Sequence, residues 1–185
     1  MIASQDRSGY FGCSDTSMIV GNWTTKSFEK WWLEKLGFYK NEIKTDSMLA
    51  GTFYEHKILD ALNISNLKKD AQIIIEKLKL RANLDGNTDN CIYEVKTYNS
   101  QKEFKVSKQY WRQAQVEMFA SEIYKLNIVA YALATEDYDN YFNNIDNSRI
   151  SMYEVIYDNN FIHEEYLPKL KKLVDCLKRG EFPIW

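Results

Sequence analysis

Residues 85–90 of this chain, Asp85-Gly86-Asn87-Thr88-Asp89-Asn90, are dense in turn formers and stand between two runs of strand-like residues. Gly, Asn and Asp accept the backbone angles that turns require, so the chain is predicted to reverse here as a β-hairpin. Upstream, the run 71–84 is rich in β-branched and alternating apolar residues, the pattern of one or two strands. Downstream, 91–98 resumes that pattern, and the short apolar runs 128–134 and 150–157 read as further buried strands. A sheet is therefore the centre of the fold.

The remaining segments read as helices. Ser14 caps a short helix over 15–20 that stops at Gly21. Ser27 caps a second, with Phe28, Trp31, Trp32, Lys35 and Leu36 at helical spacing and Gly37 closing it. A third spans 48–62, the longest spans 107–126, and the last runs through Leu167, Leu170, Leu173, Val174 and Leu177 to Gly180, with Pro168 at its start or kinking it. The Asp- and Asn-rich stretch 135–147 reads as one exposed excursion. The order predicts an α/β (α+β) domain, a central sheet flanked by helices, over 1–185 as a single unit.

Composition removes several classes. Gly and Pro number only 7 and 2, aromatics reach 15% and charged residues 27%, which excludes disordered and collagen-like chains. Cys13, Cys91 and Cys176 are odd in number and scattered, so a four-thiolate metal site or a secreted disulfide framework is not expected, and a reduced, cytoplasmic protein is. The first ten residues carry Asp6 and Arg7 without an apolar core, unlike a signal peptide, and no stretch has the length of a membrane span. With a formal charge of -2, the whole-molecule field does not draw in a polyanion; nucleic acid would need a local basic patch or metal ions. Lys102, Lys105, Lys108 and Arg112 could form such a patch, or be a solvated loop and helix start.

Chemistry concentrates around the hairpin. Side chains alternate faces along a strand, so Glu94 and Lys96 share one face and Tyr93, Val95 and Thr97 the other. Asp85, placed where the hairpin turns, would bring its carboxylate back toward Glu94. Two carboxylates and an ammonium would then converge, which suits a Mg²⁺ site for phosphodiester hydrolysis: hard oxygen ligands, and a cation beside water and phosphate. A cross-strand ion pair or a solvated face explains the same residues. Glu55 falls within the apolar stripe of Met48, Ile58, Leu59 and Leu62 on the third helix, where a carboxylate needs a base or a metal. Gly51, one turn earlier, would admit another backbone. On the longest helix, Gln113 and Gln115 are two apart and cannot both face one site.

These residues, in this order, carry a resemblance. Arg7…Gly12-Cys13-Ser14-Asp15…Ile19-Val20-Gly21, Met48…Gly51…Glu55, Leu84-Asp85-Gly86…Glu94-Val95-Lys96 and Tyr110…Gln113-Ala114-Gln115…Met118 resemble the YqaJ-type viral recombinases, relatives of phage lambda exonuclease in the PD-(D/E)XK nuclease superfamily, over about residues 7 to 134. Cys13 stands where the family usually has a second glycine, and Leu84 where a small residue or proline is common. The resemblance implies a restriction-endonuclease-like core and a 5′-to-3′ exonuclease acting on linear double-stranded DNA. It implies that Glu55, Asp85, Glu94 and the Val95 carbonyl surround Mg²⁺, with Mn²⁺ as a substitute. It further implies that Lys96 orients or helps deprotonate the attacking water, that Gln115 or Gln113 lines the site, and that Ser14 and Arg7 grip phosphate. Its relatives form ring-shaped trimers and work with a single-strand annealing protein in recombination, which implies a phage or prophage gene acting in a bacterial host. The residues alone leave open an endonuclease on the same core, or a catalytically silent DNA-binding or inhibitory module.

Overall fold

The structure is a computed structural model that describes residues 8–39 and 45–184; Arg7 and Trp185 fall outside the described residues. In chain order it runs β1 (Phe11–Gly12), a 3-10 turn (Cys13–Asp15), α1 (Thr16–Ile19), α2 (Lys26–Lys35), α3 (Asp46–Ala61), β2 (Lys68–Ile75) and β3 (Leu80–Asn87). There follow β4 (Ile92–Asn99), α4 (Lys108–Ser121), β5 (Lys125–Leu133), α5 (Thr135–Asp139), β6 (Ile150–Ile156), a π-helical turn (Phe161–Tyr166) and α6 (Leu167–Arg179). Six strands make one mixed sheet, β1-β3-β4-β5-β6, with β2 also paired to β3. The expected α/β class, a central sheet flanked by helices, is the one observed.

Strand order follows from chain length between strands. β2 and β3 are joined by a tight turn and pair antiparallel from Lys68↔Asn87 to Ile75↔Leu80. β4 and β5 pair parallel from Ile92↔Leu126 to Asn99↔Leu133, and parallel neighbours need a long crossover, which α4 supplies. Thr25, Thr45 and Ser107 cap α2, α3 and α4, their hydroxyls accepting from the N–H groups of Phe28, Met48 and Tyr110. Three helix faces close one side of the sheet: Phe28, Trp31 and Trp32 of α2, Val116 of α4 and Leu170, Leu173 and Val174 of α6 pack with Phe11, Leu80 and Ala82. On the other side Ala50, Tyr54, Ile58 and Leu59 of α3 cover Val95, Val129 and Tyr131.

One irregularity in the sheet positions everything that follows. The edge of β3 away from β2 is shared by two strands: β1 pairs with Leu80 and Arg81, and β4 pairs only with Gly86 and Asn87. Between them, residues 82–85 have no strand partner on that edge, so the sheet carries a notch.

The structure moves several expected boundaries. The reversal lies at residues 88–91, where the Thr88 N–H donates to the Cys91 carbonyl (2.9 Å), so Asp85 and Gly86 lie within β3 rather than in the turn. α4 ends at Ser121, capped by the left-handed Glu122 (φ 59°), and not at Leu126, because Leu126 and Ile128 are buried as sheet residues. Ser14 sits inside the 3-10 turn and does not cap; the cap position of α1 is Asp15, whose carboxylate accepts the Gly12 N–H (2.7 Å). Met48, expected in the buried stripe of α3, is 55% exposed in its first turn. Cys13, Cys91 and Cys176 are buried and unpaired. Among the described residues no helix is long and apolar enough to cross a membrane.

Candidate active site

Asp85 marks the point where β3 and β4 part. The pairing that would continue past Gly86↔Tyr93 is absent, and the Val95 N–H donates instead to the Asp85 carboxylate (2.8 Å). A side chain thus replaces a ladder bond and leaves the backbone groups of β4 open to the notch. Alternation along β4 sends Val95 toward α3 and Ile92 toward α4, so Glu94 and Lys96 face α4. Lys96 Nζ donates to Glu94 Oε1 at 2.6 Å, and the two side chains are 19% and 4% exposed.

From α4, Gln113 reaches into this pair. Its amide nitrogen donates to Glu94 Oε1 (2.6 Å) and to Glu117 Oε1 (2.7 Å), and its carbonyl accepts from Lys96 Nζ (3.3 Å). Lys96 also lies 5.0 Å from the centre of the Tyr110 ring. Although burial alone would pull the Lys96 ammonium down, the Glu94 and Asp85 carboxylates hold it above the ordinary lysine range. With these partners in place the ammonium is favoured over the free amine.

α3 brings the third carboxylate. Its approach is set at Gly86, where a Cβ would lie 2.9 Å from Leu59 Cδ2 and 3.3 Å from Leu67 Cδ1. At Gly51, the position expected to admit another backbone, the nearest neighbour is the Thr97 hydroxyl at 3.4 Å, an ordinary contact. Glu55 faces the cluster: burial, then the Glu94 charge, raises its carboxyl above the usual range, and Asp70 adds to this while His56 and Lys96 oppose it. Asp85 is pushed well above the usual range by burial and by Glu94 and Glu55. Glu117 is pushed up likewise, by burial and by Glu94. The cluster therefore gathers more carboxyl groups than Lys96 alone can pair with, and these bind a proton or a cation more readily than carboxylates in water.

Beside the cluster, a cavity of about 90 Å³ opens at the notch, lined by Gly12, Cys13, Ser14, Asp15, Lys35, Arg81, Asn83, Gln113 and Glu117. Ser14 is exposed at its wall. Lys35 is buried and its ammonium pairs with Asp15 at 2.6 Å.

The structure thus brings together Glu55, Asp85, Glu94, Val95, Lys96 and Gln113, with Ser14 on the adjoining cavity. It does not bring Gln115. That amide is consumed elsewhere, donating to the Ile156 carbonyl (2.8 Å) and accepting from the Asp158 N–H (2.7 Å), so it ties α4 to the end of β6. The choice between the two glutamines falls to Gln113. Arg7 lies outside the described residues. Lys102, Lys105 and Lys108 are exposed, and Lys105 pairs with Glu103 (3.0 Å).

Two groups were not anticipated. Glu117 is 1% exposed and meets Gln113 one helical turn away; the i, i+4 spacing was readable, but a lone glutamate among apolar residues gave no sign of its burial. His56 and Asp70 form a pair at 2.9 Å beside Glu55, the three offering ligand atoms within 4.8 Å of one another. Asp70 lies in β2 with a left-handed backbone (φ 55°), invisible to pattern reading.

The donors fit a hard divalent cation. Among the described residues Glu94 Oε2 is buried without a hydrogen-bond partner, a costly arrangement for a carboxylate oxygen unless a cation meets it, and the neighbouring groups of Asp85 and Glu55 are carboxylates as well.

No protein-family model and no curated protein matches the chain. Solved structures do. The alkaline exonuclease LHK-Exo from Laribacter hongkongensis aligns over 94% of this chain and 94% of its own, with TM-score 0.65 and 18% identity. Its complex with dAMP aligns over 94% and 90%, with TM-score 0.70 and 17% identity. A phage-related exonuclease from Haemophilus somnus aligns over 92% and 96%, with TM-score 0.66 and 18% identity. This chain shares the fold of these three structures. At that identity the likeness is one of architecture, and it agrees with the resemblance carried by the sequence motifs.

Proposed function

We propose that this chain is a metal-dependent deoxyribonuclease, an exonuclease that degrades one strand of linear duplex DNA from its 5′ end. The observation that carries the reading is the unpartnered, buried Glu94 Oε2 beside Asp85, Glu55 and a fixed ammonium at the sheet notch. The carboxylates of Glu55, Asp85 and Glu94 with the Val95 carbonyl would hold Mg²⁺, or Mn²⁺ in its place. A bound ion of this kind polarises the scissile phosphate and makes a bound water more acidic. Everything else is done by the chain. Lys96, hydrogen-bonded to Glu94, stabilises negative charge building on the phosphate and orients the attacking water or helps to deprotonate it. Gln113 holds Lys96 and Glu94 in one geometry, so little reorganisation is needed when substrate arrives. Ser14 contacts a phosphate in the adjoining cavity, and the family resemblance gives Arg7 the role of gripping the terminal 5′-phosphate.

A cleavage assay tests this. Linear duplex DNA with a 5′-phosphate and covalently closed circular DNA are each incubated with Mg²⁺ or with EDTA. Metal-dependent loss of the linear substrate alone, absent in Glu94→Ala, is the expected result. Cutting of the circle would make the protein an endonuclease, and cleavage surviving Glu94→Ala would remove the site from the chemistry. A ring-shaped trimer around DNA is part of the same proposal; a solution mass of one chain at micromolar concentration would count against it.

A further inference from the structure

We infer that Glu117 is a positioning residue, setting the rotamer of the Gln113 amide and through it the placement of Lys96 and Glu94; this rests on the nuclease reading above. A primary amide has two distinguishable ends, and which end faces which neighbour is decided by its partners. On the β4 side Glu94 Oε1 accepts from Gln113 while Lys96 donates to it, and these two are joined to each other at 2.6 Å. Glu117 supplies the third contact, from the same helix as Gln113. It sits one turn along α4, is 1% exposed, and accepts the second amide hydrogen at 2.7 Å. With both hydrogens committed to carboxylates, the amide oxygen is left aimed at Lys96 Nζ (3.3 Å). A flip would aim the nitrogen at an ammonium and the oxygen at two carboxylates, so the observed orientation is the only satisfied one.

Retention of Glu117 needs such a reason. Among the described residues its second oxygen is buried without a hydrogen-bond partner, and burial together with the nearby Glu94 carboxylate pushes its carboxyl up. A buried acid in this state costs stability, and an apolar residue of similar volume would be better tolerated by packing with Val116 and Ala120 alongside. The cost is offset if the group is needed where Gln113 stands. Glu117→Gln would reproduce the role, the new carbonyl accepting from Gln113 as the carboxylate oxygen does. Leucine would fill the space and supply no acceptor.

The test uses the full chain on linear duplex DNA with saturating Mg²⁺. Glu117→Leu is expected to lower kcat by about tenfold or more with KM within about twofold, the signature of a lost positioning contact. Glu117→Gln is expected to restore most of that loss. Gln113→Ala is expected to be as slow as the Gln113→Ala/Glu117→Leu double variant, because the two act through one contact. Nitrogen-15 NMR of the Gln113 side chain supplies a readout free of activity: two amide protons shifted downfield and slow to exchange with solvent in the wild type and in Glu117→Gln, with one of them moved toward its position in free glutamine and exchanging faster in Glu117→Leu. An unchanged kcat in Glu117→Leu, no recovery with glutamine, or additive losses in the double variant would overturn the inference. Were the wild type to cleave no DNA, the nuclease reading would fall, and the Gln113 amide signals alone would uphold or reject the anchoring contact.

Discussion

The two walls of the notch are built differently. On the α4 wall, Glu94, Lys96, Gln113 and Glu117 are joined by hydrogen bonds of 2.6 to 3.3 Å. On the α3 wall, Glu55 makes no hydrogen bond among the described residues, and its neighbours His56 and Asp70 are 39% and 30% exposed. Folding alone orders the first wall. The second has its carboxylate delivered to the right place by helix packing but not tied there, so its final geometry depends on what binds. An enzyme gains from this division: groups that must not move are locked, and the group that completes a metal's coordination stays adaptable.

The largest effects should separate the walls. Lys96→Met and Glu94→Ala are expected to lower cleavage by at least about 10³-fold at any Mg²⁺ concentration, because they remove the fixed cation or its partner. Glu55→Gln is expected to lose about 10- to 100-fold, with part of the loss recovered at higher metal concentration, since a ligand on an untied wall contributes mainly to metal affinity. Metal titrations of steady-state cleavage measure both. Equal losses with no metal rescue would mean that the α3 wall is as preset as the other.

Gly86→Ala probes how α3 is seated. The added Cβ would meet Leu59, fully buried, at 2.9 Å, and the helix or the hairpin must give. Overpacking of this kind costs about 1–3 kcal/mol. A lower thermal midpoint is therefore expected together with weaker metal binding, as Glu55 is pushed off the cluster; calorimetry on the one sample reads both. A stability loss without a change in metal affinity would place the seating of Glu55 elsewhere than in the contact of Gly86 with Leu59.

How much of this was legible depended on whether a signal was local. The mixed sheet and its flanking helices were readable because periodicity reports which face of each element is buried, and Trp31, Trp32, Leu170 and Leu173 do pack as their spacing implies. The pairing of Glu94 with Lys96 followed from strand alternation alone. What failed was non-local. Whether Gln113 or Gln115 enters the site is a matter of helix rotation, set by Ala114 and Met118 packing on the sheet and not by either glutamine. Met48 matched the apolar stripe of α3 but lies before the helix reaches the sheet, so its side chain stays exposed. The notch itself, and the Asp70 backbone opposite it, arise where β1 and β4 share one edge of β3 and β2 holds the other, which no window of sequence contains.

A third, smaller effect follows from the surplus of carboxyl groups. Asp85, Glu55 and Glu117 bind protons more readily folded than unfolded, burial being the largest cause. Between the ordinary carboxylate range and their raised values, the folded state holds more protons, so stability must fall as pH rises. In EDTA the thermal midpoint is expected to be lower at pH 8 than at pH 6, and this difference should shrink in Asp85→Asn. Mg²⁺ should raise the midpoint more at pH 8, because binding no longer has to displace protons. A midpoint that climbs from pH 6 to pH 8 without metal would show that the cluster is already neutralised.

The smallest effects should come from the helix caps, and they separate stability from geometry. Thr45 and Ser107 cap the helices of the two walls, and replacing either by alanine removes one hydrogen bond to a first-turn N–H, worth about 1 kcal/mol. For a domain of this size that lowers the thermal midpoint by about 2–4 °C. Fraying is confined to the first turn, residues 46–48 in α3 and 108–110 in α4, while Glu55 and Gln113 stand further along helices already held by Ala50 and Tyr54 or by Ala114 and Met118. Both variants should therefore lose similar stability and keep kcat within about twofold of the wild type. If Ser107→Ala slowed cleavage strongly while Thr45→Ala did not, the rigidity of the α4 wall would have to come from the helix as a whole rather than from the side-chain contacts around Gln113.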